Sequence, residues 1–140
     1  MRCNDKGLAI IRKWESLRLK AYKCSADVWT IGWGHTKGVK QGDVCTIEKA
    51  NEYFKEDLEE KELQINNLNL QLTDNEYSAL ISFIFNIGIG NFTKSTMLRL
   101  LKQNKKIEAS NEFQKWNKCK GETLDGLTKR RRDERDLFLS

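Results

Sequence analysis

Along the first segment the apolar residues Leu8, Ile11 and Trp14 recur at helical spacing, which predicts a helix from about residue 5 into Glu15 and sets Glu15 near its C-terminal end. Between Tyr22 and Val39 the period changes. Val28, Trp29, Thr30 and Ile31, with Gly32, Gly34 and Gly38 close by, read as short strands joined by tight turns, a small hairpin sheet. Thr46 then stands as a cap before Ile47, Ala50, Phe54 and Leu58, which return to helical spacing, while Glu48, Glu52, Glu56, Glu59 and Glu60 cover the other face. Such a long, two-faced helix suits a spine between two lobes.

A polar run from Asn66 to Asn69 interrupts that helix, and Thr73 with Glu76 three residues later forms a capping box ahead of the next. Ala79, Leu80, Ile81, Phe83, Ile84 and Phe85 make this helix apolar on most sides, so it is the expected centre of the core, with Gly88 and Gly90 ending it. Further helices are expected at about 94–103 and 106–115, with Trp116 packed at the end of the second. Beyond a turn-like run at 120–126, Leu127, Arg131, Glu134 and Phe138 share one face of a last helix. The 140 residues contain no proline, repeat or low-complexity tract to mark a linker, so one α+β folding unit is expected.

Composition narrows the classes. Apolar residues at 39% and charged residues at 32% support a packed core and exclude a disordered chain. No window approaches the roughly 18 consecutive apolar residues of a membrane span, and no apolar signal segment follows the polar start. The chain is therefore expected in the cytosol, with no stable membrane anchor. A net charge of +5 favours an anionic partner: nucleic acid, anionic lipid or a cell-wall polymer. Cys3, Cys24, Cys45 and Cys119 are scattered and His35 is the single histidine, a pattern without zinc-ligand spacing, so free thiols and no metal or cofactor are expected.

A carboxylate at Glu15, a thiol at Cys24 and a hydroxyl at Thr30 lie in one short window, and the change from helix to hairpin between them folds all three toward one groove. Trp14-Glu15-Ser16, Ala21-Tyr22 and Trp29-Thr30-Ile31-Gly32-Trp33-Gly34-His35-Thr36 follow in order. Phe85-Asn86-Ile87-Gly88-Ile89-Gly90-Asn91-Phe92 and Lys94-Ser95-Thr96 form a second block, and Gly126-Leu127, Arg130-Arg131 and Glu134 a third. In these blocks the chain resembles glycoside hydrolase family 24, the phage lysozymes or endolysin muramidases of tailed phages, whose active-site pattern is Glu, eight residues, Asp or Cys, five residues, Thr. Glu15, Cys24 and Thr30 fit that spacing.

The resemblance implies a lysozyme-like fold: a hairpin lobe at about 12–60, a helical lobe at 61–140, and the first helix packed on the second lobe. It implies hydrolysis of the β-1,4 bond between N-acetylmuramic acid and N-acetylglucosamine in peptidoglycan, with host lysis as the outcome. That chemistry needs a proton donor at the glycosidic oxygen and a group that stabilises or captures an oxocarbenium-like centre. Glu15 is the expected donor; burial against Trp14 or another aromatic would raise its pKa, whereas an arginine would oppose that rise while holding the carboxylate. By resemblance that arginine is Arg130 or Arg131, with Arg130 preferred.

Cys24 stands where the family more often has Asp. A thiol is mostly protonated at pH 7, so it orients a water, with Thr30, or attacks as a thiolate if its pKa falls. Asp27 is a candidate for the missing negative charge, although a turn position favours ordinary solvation. His35 is expected to tie the hairpin to a neighbouring acid, as the family's histidine does. Trp33, Phe85 and Ser95 are candidate substrate contacts against packing or capping roles, and Phe92 is assigned to the core. The basic run Lys129-Arg130-Arg131-Arg132 is spread around a helix, so wall polymer accounts for the charge as well as DNA does and nucleic acid is not an expected partner. The expected protein is a monomer that waits in the host cytoplasm until a holin opens the inner membrane. The cysteine replacement leaves a second reading, a lysozyme fold that binds wall glycan and cuts it weakly or not at all.

Overall fold

The computed structural model describes residues 1–140. Helix α1 (Asp5–Glu15) starts where the Asn4 side chain accepts a hydrogen bond from the Gly7 amide, 3.1 Å away. It stops abruptly at Ser16, whose φ of 57° turns the chain out of the helix directly after Glu15. The carboxylate is thereby carried on the last helical residue, facing the segment that follows. That segment is a two-stranded antiparallel sheet, β1 (Arg18–Lys23) and β2 (Trp29–Gly32), with Tyr22 opposite Thr30 and Lys23 opposite Trp29. The first strand begins four residues earlier than the sequence pattern predicts. Arg-Leu-Lys-Ala-Tyr-Lys is mostly exposed and its register slips between Arg18 and Tyr22, so it lacks the alternation that reveals a half-buried strand.

Helix α2 (Ile47–Asn66) is capped by Thr46, which accepts from the Lys49 amide at 3.1 Å, and it buries Ala50, Phe54 and Ile65. Helix α3 (Asp74–Ile87) carries the expected capping box: the Thr73 amide donates to Glu76 Oε1 at 2.8 Å and the Glu76 amide to Thr73 Oγ1 at 3.1 Å. Every residue from Tyr77 to Ile84 is buried, and α3 packs against α1, α2 and the C-terminal helix α7 (Asp125–Leu139).

Between α3 and α7 the expected helices are shorter and more numerous. Gly88 (φ 85°) breaks the chain, but Gly90 lies inside a further short helix, α4 (Ile89–Thr93), rather than beyond a helix end. Helix α5 (Thr96–Lys102) begins after Ser95, and α6 (Lys106–Ser110) ends well before residue 115. Ser110 turns its hydroxyl onto the Ile107 carbonyl and Asn111 follows, two residue types that compete with helical backbone bonding; a single 3-10 turn, Phe113–Lys115, completes the stretch. The run at 120–126 supplies the turn and second strand of a miniature hairpin, β3 (Lys118–Cys119) with β4 (Glu122–Thr123), turned by Lys120 and Gly121 at positive φ.

The core centres on Phe83, whose ring meets Phe92, Phe113 and Trp116 edge-to-face at centroid separations of 6.4, 5.1 and 6.0 Å. No helix is long and apolar enough to cross a membrane, and all four cysteines are free. Phe83→Ala is expected to lower unfolding stability by about 3–5 kcal/mol in a urea titration, because its rigid aromatic neighbours leave a cavity that cannot collapse. A loss below about 1 kcal/mol would refute that central role.

Candidate active site

Glu15 Oε2 accepts a hydrogen bond from Arg130 Nη1 at 2.6 Å. The carboxylate side chain is 16% exposed and the arginine 3%. Arg130 is fixed on its other sides by Glu134 Oε2, 3.2 Å from Nε, and by the Ser82 carbonyl, 2.9 Å from Nη2. Ser82 Oγ donates to the same Glu134 oxygen at 2.6 Å. Arg131, fully buried, donates to the Trp116 carbonyl at 2.9 Å and is bonded to Glu134 Oε1 and Asn86 Oδ1. Burial pulls the Arg130 pKa down, but Glu15 and Glu134 outweigh it and the net shift is upward, so the guanidinium stays charged. Arg130 is therefore the arginine that meets Glu15, and Arg131 serves the network behind it. Trp14 is turned elsewhere: its indole N–H donates to Asp133 Oδ2 at 2.8 Å, tying α1 to α7.

The hairpin supplies the other face. Cys24 opens the β1–β2 turn, its amide donating to the Val28 carbonyl at 3.0 Å and its carbonyl accepting from the Asp27 amide at 2.9 Å. The thiol is partly exposed. Thr30 is 3% exposed and its hydroxyl donates to the Val28 carbonyl at 2.9 Å. With its one proton committed, Thr30 Oγ1 can serve another group only as an acceptor. Tyr22, opposite Thr30, lies under the Arg18 guanidinium at 4.5 Å. Burial first, then the negative charge of Glu15, raise the pKa of its phenol, keeping it a hydrogen-bond donor. The sequence reading passed over Tyr22, although it lies inside the quoted motif and two residues before Cys24.

His35 Nδ1 lies 2.8 Å from Asp57 Oδ2 and its ring stacks on Tyr53 at 4.0 Å, fastening the hairpin to α2. Burial raises the Asp57 carboxyl pKa more than His35 lowers it. Trp33 donates to Asn51 Oδ1 at 3.1 Å and packs edge-on against Phe54, which also meets Phe85 at 5.7 Å. Both Trp33 and Phe85 are partly buried against the core. Ser95 is engaged in a cap, donating to the Phe92 carbonyl at 2.7 Å and accepting from the Leu98 amide at 3.1 Å. Phe92 is fully buried. Asp27 is exposed but not simply solvated: it pairs with Lys120, and the neighbouring Cys119 thiol donates to the Ser25 carbonyl at 3.3 Å. These contacts join the β1–β2 turn to the β3–β4 hairpin.

A carboxylate on a helix end is thus held by a buried arginine and lies against the loop that follows the small hairpin carrying the thiol and the hydroxyl. The phage lysozyme family model matches residues 12–134, and the chain belongs to that family. It is 43% identical, over 100% of its length and 99% of the relative, to the endolysin of Acyrthosiphon pisum secondary endosymbiont phage 1. It is 38% identical to the endolysin of Bacillus phage B103, a longer protein of which it spans 55%. Among solved structures, the muramidase domain of SpmX from Asticaccaulis excentricus superposes with a TM-score of 0.87 at 34% identity, covering 99% of this chain and 98% of that one. The α+β architecture is thus that of the lysozyme-fold endolysins.

Glu134 compensates two buried arginines at once. Glu134→Gln is expected to destabilise the protein by about 3–5 kcal/mol in chemical denaturation, the cost of leaving buried charge uncompensated. A change within about 0.5 kcal/mol would show the network to be dispensable.

Proposed function

We propose that this phage lysozyme cleaves the β-1,4 bond between N-acetylmuramic acid and N-acetylglucosamine with Glu15 as general acid, acting as one domain with a hairpin lobe (about 12–60) and a helical lobe (61–140). The class of reaction, peptidoglycan hydrolysis in lysis, follows from family membership. The observation that carries the residue assignment is the single-sided clamp on Glu15. Arg130 takes Oε2, and Oε1 accepts no hydrogen bond from the protein, so Oε1 is the atom left to carry the proton to the leaving-group oxygen. Once the proton has gone, the adjacent guanidinium stabilises the carboxylate that remains, favouring transfer in that direction.

Cys24 and Thr30 hold the attacking water. The nearby ammonium of Lys120 is paired with Asp27 rather than with the Cys24 thiol. Thr30 Oγ1, restricted to accepting, takes a hydrogen bond from that water and leaves an oxygen lone pair for the anomeric carbon; as the new C–O bond forms, the water's proton passes to bulk solvent. This route inverts configuration. His35 and Arg130 support the site, and Trp33, Phe85 and Ser95 contribute packing or sugar contacts at its margins. The enzyme works as a monomer without cofactor and reaches the wall from the host cytoplasm once a holin opens the inner membrane. Its positive charge favours the anionic polymer there.

On purified peptidoglycan, Glu15→Gln is expected to lose about 100-fold or more of the turbidity-clearing rate, the usual range for a general acid; equal activity would overturn the assignment. Cys24→Ala should be impaired and Cys24→Asp active, with the α-anomer as the first product by NMR. A β-anomer product accompanied by a glycan adduct on Cys24 would replace the water-holding role with covalent attack. Wild-type protein that binds glycan without releasing fragments would instead mark a binding module.

A further inference from the structure

We infer that Gly34 is a positioning residue for catalysis: the space left by its missing side chain is the space the Glu15 carboxyl group occupies. The inference rests on Glu15 being the acid. A Cβ built on Gly34 would stand 2.7 Å from Glu15 Cδ and 3.1 Å from Cγ, and closer still to Oε1. Carbon atoms do not approach one another at 2.7 Å, so any side chain at 34 must displace the carboxyl group. Backbone conformation alone does not account for this glycine. Gly38 and Gly42 also have positive φ, at 72° and 88°, but a Cβ there would meet nothing within 4 Å. Gly34, at φ 81°, combines that conformation with a filled space.

The backbone around Gly34 is not free to yield. Ile31 and His35 exchange hydrogen bonds, 2.8 Å from the Ile31 amide to the His35 carbonyl and 2.9 Å in return, closing a short loop. A Cβ on Gly32 in the same loop would lie 3.3 Å from Ala50 Cβ, so α2 blocks retreat on that side. His35 is anchored to Asp57 of α2. Glu15 is equally constrained, since Oε2 is held by an arginine that is itself buried and bonded to Glu134 and Ser82. The carboxyl group thus fills a slot with Arg130 at one oxygen and the Gly34 backbone at the other. A methyl group in that slot moves the proton-carrying atom, and displacement of a reacting group by about 1 Å costs on the order of 100-fold in rate.

The test compares Gly34→Ala with Gly38→Ala, which carries the φ penalty without the contact, using soluble glycan fragments as substrate. Gly34→Ala is expected to lose about 100-fold in kcat with KM within about threefold of wild type, and Gly38→Ala to retain wild-type kcat. Thermal unfolding adds an independent measurement. The stability loss of Gly34→Ala in excess of that of Gly38→Ala should disappear in a Glu15→Ala background, where no carboxyl group remains to meet the methyl. If Gly34→Ala alone does not fold, Glu15→Ala/Gly34→Ala is expected to fold. Wild-type kcat in Gly34→Ala, an excess loss that persists without the Glu15 carboxyl, or a double variant that stays unfolded would each overturn the inference. A fully active Glu15→Gln would instead remove the assignment of the acid, while inactive Glu15→Gln beside fully active Gly34→Ala would remove only the role of Gly34.

Discussion

Placing two arginines of the last helix against an apolar core is the condition to which the rest of the structure answers. Arg130 and Arg131 are almost wholly buried, and Arg131 lies 4.9 Å above the ring of Phe83. A guanidinium removed from water must be matched by charge and by acceptors for its donors. Glu134 supplies one charge from the same helix, Ser82 and Asn86 supply oxygens from α3, and Glu15 supplies the second charge from the end of α1. Three helices are thereby locked at one point. The residue that helps neutralise the core also keeps part of its carboxylate exposed, so under the proposed mechanism folding and catalysis draw on the same contact.

The hairpin is held by different means. Its strands are short, β1 is largely exposed, and Ile31 is its fully enclosed aliphatic residue. Position comes instead from polar ties to better-packed elements: His35 to Asp57, Trp33 to Asn51, and the Asp27 and Ser25 contacts with the β3–β4 hairpin. The ion pair with Lys120 is exposed on both sides and contributes little to stability. Its consequence is geometric, since it brings a cation and a second thiol to the turn that carries Cys24.

Sequence pattern revealed what depends on strong periodicity and on local chemistry. The long α2, the capped α3 and its role as core centre were legible from the spacing of Ala50 and Phe54 and from the Thr73–Glu76 pair. Short elements escaped because two to five residues carry no measurable period: α4 was hidden behind its own glycines, and β3–β4 looked like a bare turn. The proposed site residues Glu15, Cys24 and Thr30 were picked out by their spacing and family context. The groups that set their geometry were not. Ser82, Asn86 and Asp57 sit on helices far along the chain, and only the tertiary fold brings them to the site. One faint signal existed: Ser82 and Asn86 are polar residues one turn apart in the otherwise apolar stretch from Ala79 to Ile87, a spacing that asks for a buried partner.

Glu15 and its arginine are separated by 115 positions of sequence. During synthesis, the helix bearing Glu15 leaves the ribosome well before Arg130 does. At translation rates of about 5–20 residues per second, the acid waits on the order of 10 seconds for its partner. A nascent or prematurely terminated chain carries the carboxylate without the guanidinium that seats it. The contact between Glu15 and Arg130 therefore cannot form until α7 has been made, and a fragment released before that point lacks it.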